Sequence, residues 1–365
     1  MLLFTGNHTI LIFYNLLVLL HIGLFLGASS YSLSSRANLK RKNIVGVVIF
    51  ISILLLVGLR PVSGQYFGDM SRYSRSYVNL CNGVDNNVLN VSEMGFIAFM
   101  KFTTVFSNNR IFFVVCFLLY SYPLYLASKI IFGQYWYYSF LILISSFSFF
   151  SYGTNGIRNG LATSIMILAL SQSEKRIRFI LLALLAISFH KSLIIVLVAF
   201  GVTQFFNNNK LILVGWLVSI PLSLIMSGFW ETFLAEYLIS DEKATRYLLN
   251  EGMDYEQTNI GFRWDFILYS SFGVIVGWYF IFKKGFDDKR YSRLFNIYLI
   301  CNAVWILIIK VPFSNRFAYL SWFMLGIIVV YPFLKKEFFK NQHIVLATVL
   351  SLYFCFTYLM NIVLG

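Results

Sequence analysis

Stretches of about 17 to 25 predominantly apolar residues recur from one end of this chain to the other, and that recurrence decides its fold class. A helical run of this length crosses a hydrocarbon core of ~30 Å. Lipid satisfies no backbone N–H or C=O, so only helices and closed barrels span it. Barrel strands alternate apolar and polar residues, whereas these runs are continuous. Composition agrees, with 59% hydrophobic residues, 12% charged residues and a mean hydropathy of +0.74. Soluble domains carry roughly 25% charged residues. The sequence therefore predicts an all-α polytopic membrane bundle of about 12 transmembrane helices, forming a single domain over residues 1–365.

The expected spans lie at about 9–28, 43–59, 111–132, 136–152, 156–171, 177–190, 191–206, 211–229, 264–282, 294–310, 317–334 and 343–363. Met94–Phe106, with Lys101 inside it, is too short and mixed to span and reads as an interfacial or re-entrant helix. Basic residues orient the chain. With Arg36, Lys40–Lys42, Lys129, Lys175–Arg178, Lys210, Lys283–Arg293 and Lys335–Lys340 on the cytoplasmic side, that side holds 17 basic and 4 acidic residues. The other side holds 12 and 11, as the positive-inside rule requires. Both termini then lie outside, with two non-cytoplasmic loops at about 60–110 and 230–263. This pattern needs a break inside 177–206, since one long helix there would invert everything after it.

The net charge of +14 comes from those cytoplasmic loops and does not signal nucleic-acid binding. Cys81, Cys116, Cys301 and Cys355 stand far apart with no CxxC pair, so no metal or redox site is expected. The first apolar run has no basic region before it and does not read as a cleavable signal. HExxH, P-loop and GxSxG motifs are absent, and no cofactor is expected.

In so apolar a chain, ionisable groups near the membrane are functional candidates. Gly58-Leu59-Arg60-Pro61 is followed by Gly68-Asp69, Arg72, Tyr73 and Arg75, a mixture suited to sugar and phosphate. Read as helix, Asn155, Arg158 and Asn159 share one face, and Gly156 and Gly160 form a GxxxG ridge for close approach by another helix. Arg158 would stand at a helix start, where anions are favoured. His190 and Lys191 interrupt an apolar run, and an imidazole there can act as a base near neutral pH. Arg263, Lys310 and Arg316 reach the same expected face. These cations could together line a site for an anionic head group such as a pyrophosphate. An acid of the second loop, among Glu231, Glu236, Asp241, Glu242, Glu251, Asp254 and Glu256, could also serve as catalytic acid or base.

Ser151 to Ala162 resembles the N-x-x-R-x-x-[LI]-A signature of the EpsG/Wzy-type polysaccharide polymerases. A Phe-His-x-Ser element follows it in that family, matched by Phe189-His190-Lys191-Ser192. Upstream, Gly58-Leu59-Arg60 and Gly68-Asp69 with Tyr73 match a further element. Arg316-Phe317-Ala318-Tyr319 is similar to a late Arg-x-x-x-Tyr element, with its Tyr one position early. Asn159 stands where the family often has Gln. Order and spacing agree over about residues 55–320.

The resemblance implies a metal-independent glycosyltransferase of the bacterial cytoplasmic membrane, for which a GT-C-like architecture is an option. It would join oligosaccharide repeat units carried on undecaprenyl pyrophosphate at the outer face, giving O-antigen, capsule or exopolysaccharide. Arg158 and Arg316 would grip pyrophosphate with Arg60 and Lys191 in support. Asn155, Asn159, Arg263 and Tyr73 would complete the substrate site. His190 or Asp69 would be the base, with the choice open. Membrane lipids and a chain-length regulator protein are the expected partners. A flippase for the same lipid-linked sugars is the main alternative, and would need inverted repeats and charges reaching both faces. A membrane O-acyltransferase is another, with only His21 as an early histidine.

Overall fold

The computed structural model describes residues 5–84, 93–237, 261–311 and 314–364. The acidic residues of the second expected loop from Asp241 to Glu256, with Pro312 and Phe313, lie outside the described residues. All regular structure among the described residues is helical. Seven helices there are long and apolar enough to cross a membrane, and shorter apolar helices accompany them. The chain is a multi-pass all-α membrane protein. It divides into two compact units, one of residues 1–190 with 333–365 and one of residues 191–332.

The first unit starts with α1 (Gly6–Ser30) and α2 (Arg36–Gly58), which cover the first two expected spans. Thr5 caps α1 by accepting from the His8 backbone N–H, which satisfies one of the orphan donors at a helix start. The short helices α3 (Gly64–Phe67) and α4 (Met70–Cys81) follow, then α5 (Met94–Thr103), continued by a 3-10 turn to Phe106. In α5, Phe96, Met100 and Thr103 are buried, while Met94 and Phe102 are strongly exposed. An apolar outer face opposite a packed inner one suits the interfacial helix expected at 94–106.

Next come α6 (Asn109–Phe132), α7 (Trp136–Ile144), α8 (Phe149–Thr154), α9 (Ile157–Ser171) and α10 (Arg176–Phe189). The expected span 136–152 is thus broken at Ser145–Ser148. Serine hydroxyls compete for backbone partners and loosen a helix where they cluster. Here the Ser146 hydroxyl donates to the Leu143 carbonyl at 2.8 Å, and Ser145 Oγ lies 3.0 Å from His21 Nε2. The break expected within 177–206 falls at His190, whose backbone is extended. A short loop joins α9 to α10 and the two helices pack together, so the start of α9 meets the end of α10.

In the second unit, helix Lys289–Leu307 packs on Ile194–Phe205 and on Asn209–Tyr237, the latter kinked at Met226. A buried polar cluster ties its helices together. Asn302 accepts from Trp216 Nε1 at 2.7 Å and donates to the Ser270 and Ser321 hydroxyls at 3.1 and 2.9 Å. Trp322 Nε1 donates to Ser270 Oγ at 2.7 Å. The cluster thereby meets the demand that buried amides be hydrogen-bonded.

Candidate active site

The chain breaks twice around the signature region, and both breaks aim side chains at one place. Helix α8 ends at Thr154 with Asn155 as its cap, Gly156 leaves helical geometry, and α9 restarts at Ile157. Asn155 therefore sits in the break and does not share the α9 face with Arg158 and Asn159, contrary to the continuous-helix expectation. Its side chain turns outward, and Asn155 Oδ1 accepts the Asp69 backbone N–H at 2.8 Å. Gly68 makes that approach possible. Its φ is +47°, and a Cβ there would meet Asn155 Oδ1 at 2.6 Å.

The GxxxG ridge has a local occupant. At Gly160 a Cβ would lie 2.7 Å from the Tyr152 carbonyl oxygen, so the ridge seats the preceding helix α8. Asn159 is buried and donates to the Tyr152 hydroxyl at 2.9 Å, fastening α9 to α8. Arg60 is buried too, at 3% exposure. Its guanidinium donates to the Val57 carbonyl at 2.7 Å and to the Thr154 carbonyl at 3.2 Å. It also lies over the Phe67 and Phe113 rings, a cation–π arrangement. From within the packed interior it holds the end of α8 in place.

Four segments then converge. Arg158, in the first turn of α9, donates through Nε to the Tyr73 hydroxyl of α4 at 3.0 Å. Its Nη1 lies 2.7 Å from Glu93 Oε2, at the entry to α5. The other Glu93 oxygen lies 3.1 Å from His190 Nδ1, at the end of α10. A cation in the first turn of a helix opposes the helix dipole, and the Glu93 carboxylate compensates both. Aromatic rings floor the cluster. Tyr73 meets Phe96 edge-on at 5.6 Å between ring centroids. Phe96 and Phe99 pack in turn on Phe189, the residue before His190.

Exposure differs within the cluster in a way that matters for ligands. Glu93 is 3% exposed, whereas the Arg158 and His190 side chains are 24% and 21% exposed. The acid is covered, and the two nitrogen-bearing groups are partly accessible. Burial alone would raise the Glu93 carboxyl. The hydrogen bond from His190 and the Arg158 charge outweigh it, and hold the group below the ordinary carboxylate range. Burial pushes the Tyr73 phenol up against the opposing Arg158 charge, so it stays a neutral hydroxyl. With Glu93 ionised, His190 presents its Nδ1–H to the carboxylate, and Nε2 is the basic nitrogen.

Of the residues selected from sequence, Tyr73, Arg158 and His190 are thus brought together, with Asp69, Asn155, Asn159 and Arg60 linked around the α8–α9 break. The Asp69 side chain is exposed at the start of α4. Lys191, Arg263, Lys310 and Arg316 belong to the second unit. There Arg263 grips Asp265 with two hydrogen bonds of 2.9 and 2.6 Å, and Lys191 and Arg316 are exposed.

Glu93 escaped the sequence reading. It belongs to no motif, yet a signal was present: an acid directly before an apolar helix, in a chain with 15 acidic residues and cations gathered on that face.

Comparison with curated proteins and with solved structures gave no match. A family model matches residues 43–364, nearly the whole chain, including every element of the cluster described above. That family supports a polysaccharide-polymerase type of function and a glycosyltransferase-like chemistry. On that match the chain belongs to the EpsG family.

Proposed function

We propose that this protein joins oligosaccharide repeat units carried on undecaprenyl pyrophosphate, at the outer face of a bacterial cytoplasmic membrane, building O-antigen, capsule or exopolysaccharide. The observation that carries the reading is the placement of a partly exposed arginine and a partly exposed imidazole on one buried carboxylate. A glycosyl pyrophosphate brings its own activation, so the protein needs two functions only. One is a preorganised positive group for charge growing on the departing pyrophosphate, and the other is a base for the acceptor hydroxyl.

Arg158 supplies the first. The Tyr73 hydroxyl fixes its Nε, and the dipole of α9 adds to its charge. His190 supplies the second. The carboxylate on Nδ1 orients the ring and supports the imidazolium that forms, as in other oriented imidazole bases. The acceptor oxygen attacks the anomeric carbon of the donor sugar. A new C–O bond forms as the bond to pyrophosphate breaks, the pyrophosphate leaves with the electron pair, and the hydroxyl proton passes to His190 Nε2. This arrangement favours His190 over the exposed Asp69 as base. Arg60, Asn155 and Asn159 position the break that carries Arg158. The reading assigns no cofactor.

Deleting the gene in its native host and resolving the surface glycan by gel electrophoresis tests this reading. The expected result is a single repeat unit with no ladder above it. Loss of all repeats would indicate a flippase instead, and an unchanged ladder lacking only an acyl group an acyltransferase.

A further inference from the structure

Glu93 divides its two oxygens between a cation and a base, and the cation is one that an anionic ligand would also seek. A carboxylate and a phosphate present similar oxygen pairs to a guanidinium, so the two compete for the same nitrogens. We propose that Glu93 is a displaceable internal anion: a diphosphate arriving at Arg158 takes its place there and leaves the carboxylate to His190. This deepens the reading of Arg158 as the pyrophosphate ligand and rests on it.

The geometry favours exchange. A ligand reaches Arg158 and His190 before Glu93, since their side chains are 24% and 21% exposed and Glu93 only 3%. Arg158 does not swing away, because the Tyr73 hydroxyl holds Nε and the start of α9 holds its backbone. Its terminal nitrogens are the ones that change partner. Glu93 is likewise anchored, because its carbonyl accepts the Ile97 N–H at the start of α5.

Exchange also changes how the base is held. Glu93 is acted on by Arg158 of α9 and His190 of α10, while Tyr73 of α4, beside Arg158, also feels Asp69. While Arg158 binds the carboxylate, His190 has only one of its two oxygens. Once the diphosphate neutralises Arg158, the Glu93 carboxylate is left to His190 and holds its Nδ1 more firmly, fixing the ring that takes the acceptor proton. Donor binding and the orientation of the imidazole are then coupled, and the coupling is reciprocal. The empty enzyme shares the carboxylate between two partners, and the loaded enzyme leaves it to His190. Glu93 is a positioning residue in this scheme.

The test uses the purified full-length protein in lipid nanodiscs and farnesyl pyrophosphate as a soluble short-tailed probe. Glu93→Gln keeps the side-chain shape and removes the competing charge. Its affinity for the probe is expected to rise roughly tenfold while chain elongation falls at least as much. Unchanged or weaker binding in a folded Glu93→Gln protein, alongside lost binding in Arg158→Ala, overturns the exchange and leaves the pyrophosphate assignment standing. Equal binding by the wild type and Arg158→Ala overturns the assignment itself. A measurement on the wild type guards against misfolding of the variant. The Nδ1 resonance of His190 in isotope-labelled wild type should move on saturation with the probe, as the carboxylate turns to it, and an unmoved resonance overturns the exchange.

Discussion

The Nδ1 atom of His190 lies 3.1 Å from a carboxylate oxygen of Glu93, although 97 positions separate the two in the chain. Two local features produce this meeting. The extended backbone at His190 ends α10 and turns the imidazole off the helix axis. Gly95 then lets the entry of α5 lie against α10, where a Cβ would come 2.9 Å from the Ser188 carbonyl carbon.

Gly95→Ala should therefore separate Glu93 from His190 without touching either. Overpacking of this kind costs about 1–3 kcal/mol. The expected outcome is a lowered melting temperature together with loss of elongation. Ser188→Gly in the same protein should recover part of both, because it removes the crowding side chain while the Ser188 backbone contact remains. Thermal unfolding in detergent and a glycan gel would check this.

Acid should release the cluster in a defined direction. The Glu93 carboxyl is held below its ordinary value. The stability it contributes is therefore complete above that ordinary value, roughly pH 4.3, and disappears as pH falls through the lowered folded value. A melting-temperature series from pH 7 downward should fall more steeply for the wild type than for Glu93→Gln, and the two curves should converge at the acid end.

Arg60 and Arg158 should fail in different ways. Arg60 is buried and holds two interior carbonyls. Arg60→Ala leaves those acceptors unmet and opens a cavity, costing about 3 kcal/mol. Its signature is a lower melting temperature and yield. Arg158→Lys keeps a cation beside the buried Glu93, so it should change the melting temperature little while losing most elongation. Measuring both quantities on both variants separates positioning from binding.

The turn at Gly68 offers a milder perturbation. Asn155→Ala removes the acceptor for the Asp69 N–H, a loss of about 1 kcal/mol. Gly68→Ala imposes a backbone strained for any L side chain and a clash with Asn155 as well. Elongation should fall modestly in the first and severely in the second, with both proteins inserted in the membrane.

The helical spans were legible in the sequence because lipid demands long apolar runs, and the break at His190 was legible because charge balance needed it. Tyr73, Arg158 and His190 were found through chemistry that is costly near a membrane. The break at Ser145–Ser148 was hidden, since serine is common inside membrane helices and only its hydrogen bonds to Leu143 and His21 separate a break from a span. Glu93 was hidden for another reason. Its partners come from α9 and α10, and no local pattern encodes a contact over such distances. Asn155 and Arg60 were recognised as unusual, but their use as internal braces depends on packing that periodicity does not express.

The central claim is that Arg158 and His190 carry glycosyl transfer from a pyrophosphate-linked donor. Purified protein reconstituted with undecaprenyl-pyrophosphate-linked repeat units, resolved by gel electrophoresis, tests it most directly. A ladder from the wild type, with single repeats only from folded Arg158→Ala and His190→Ala, is the expected result. A full ladder from either variant would contradict the account.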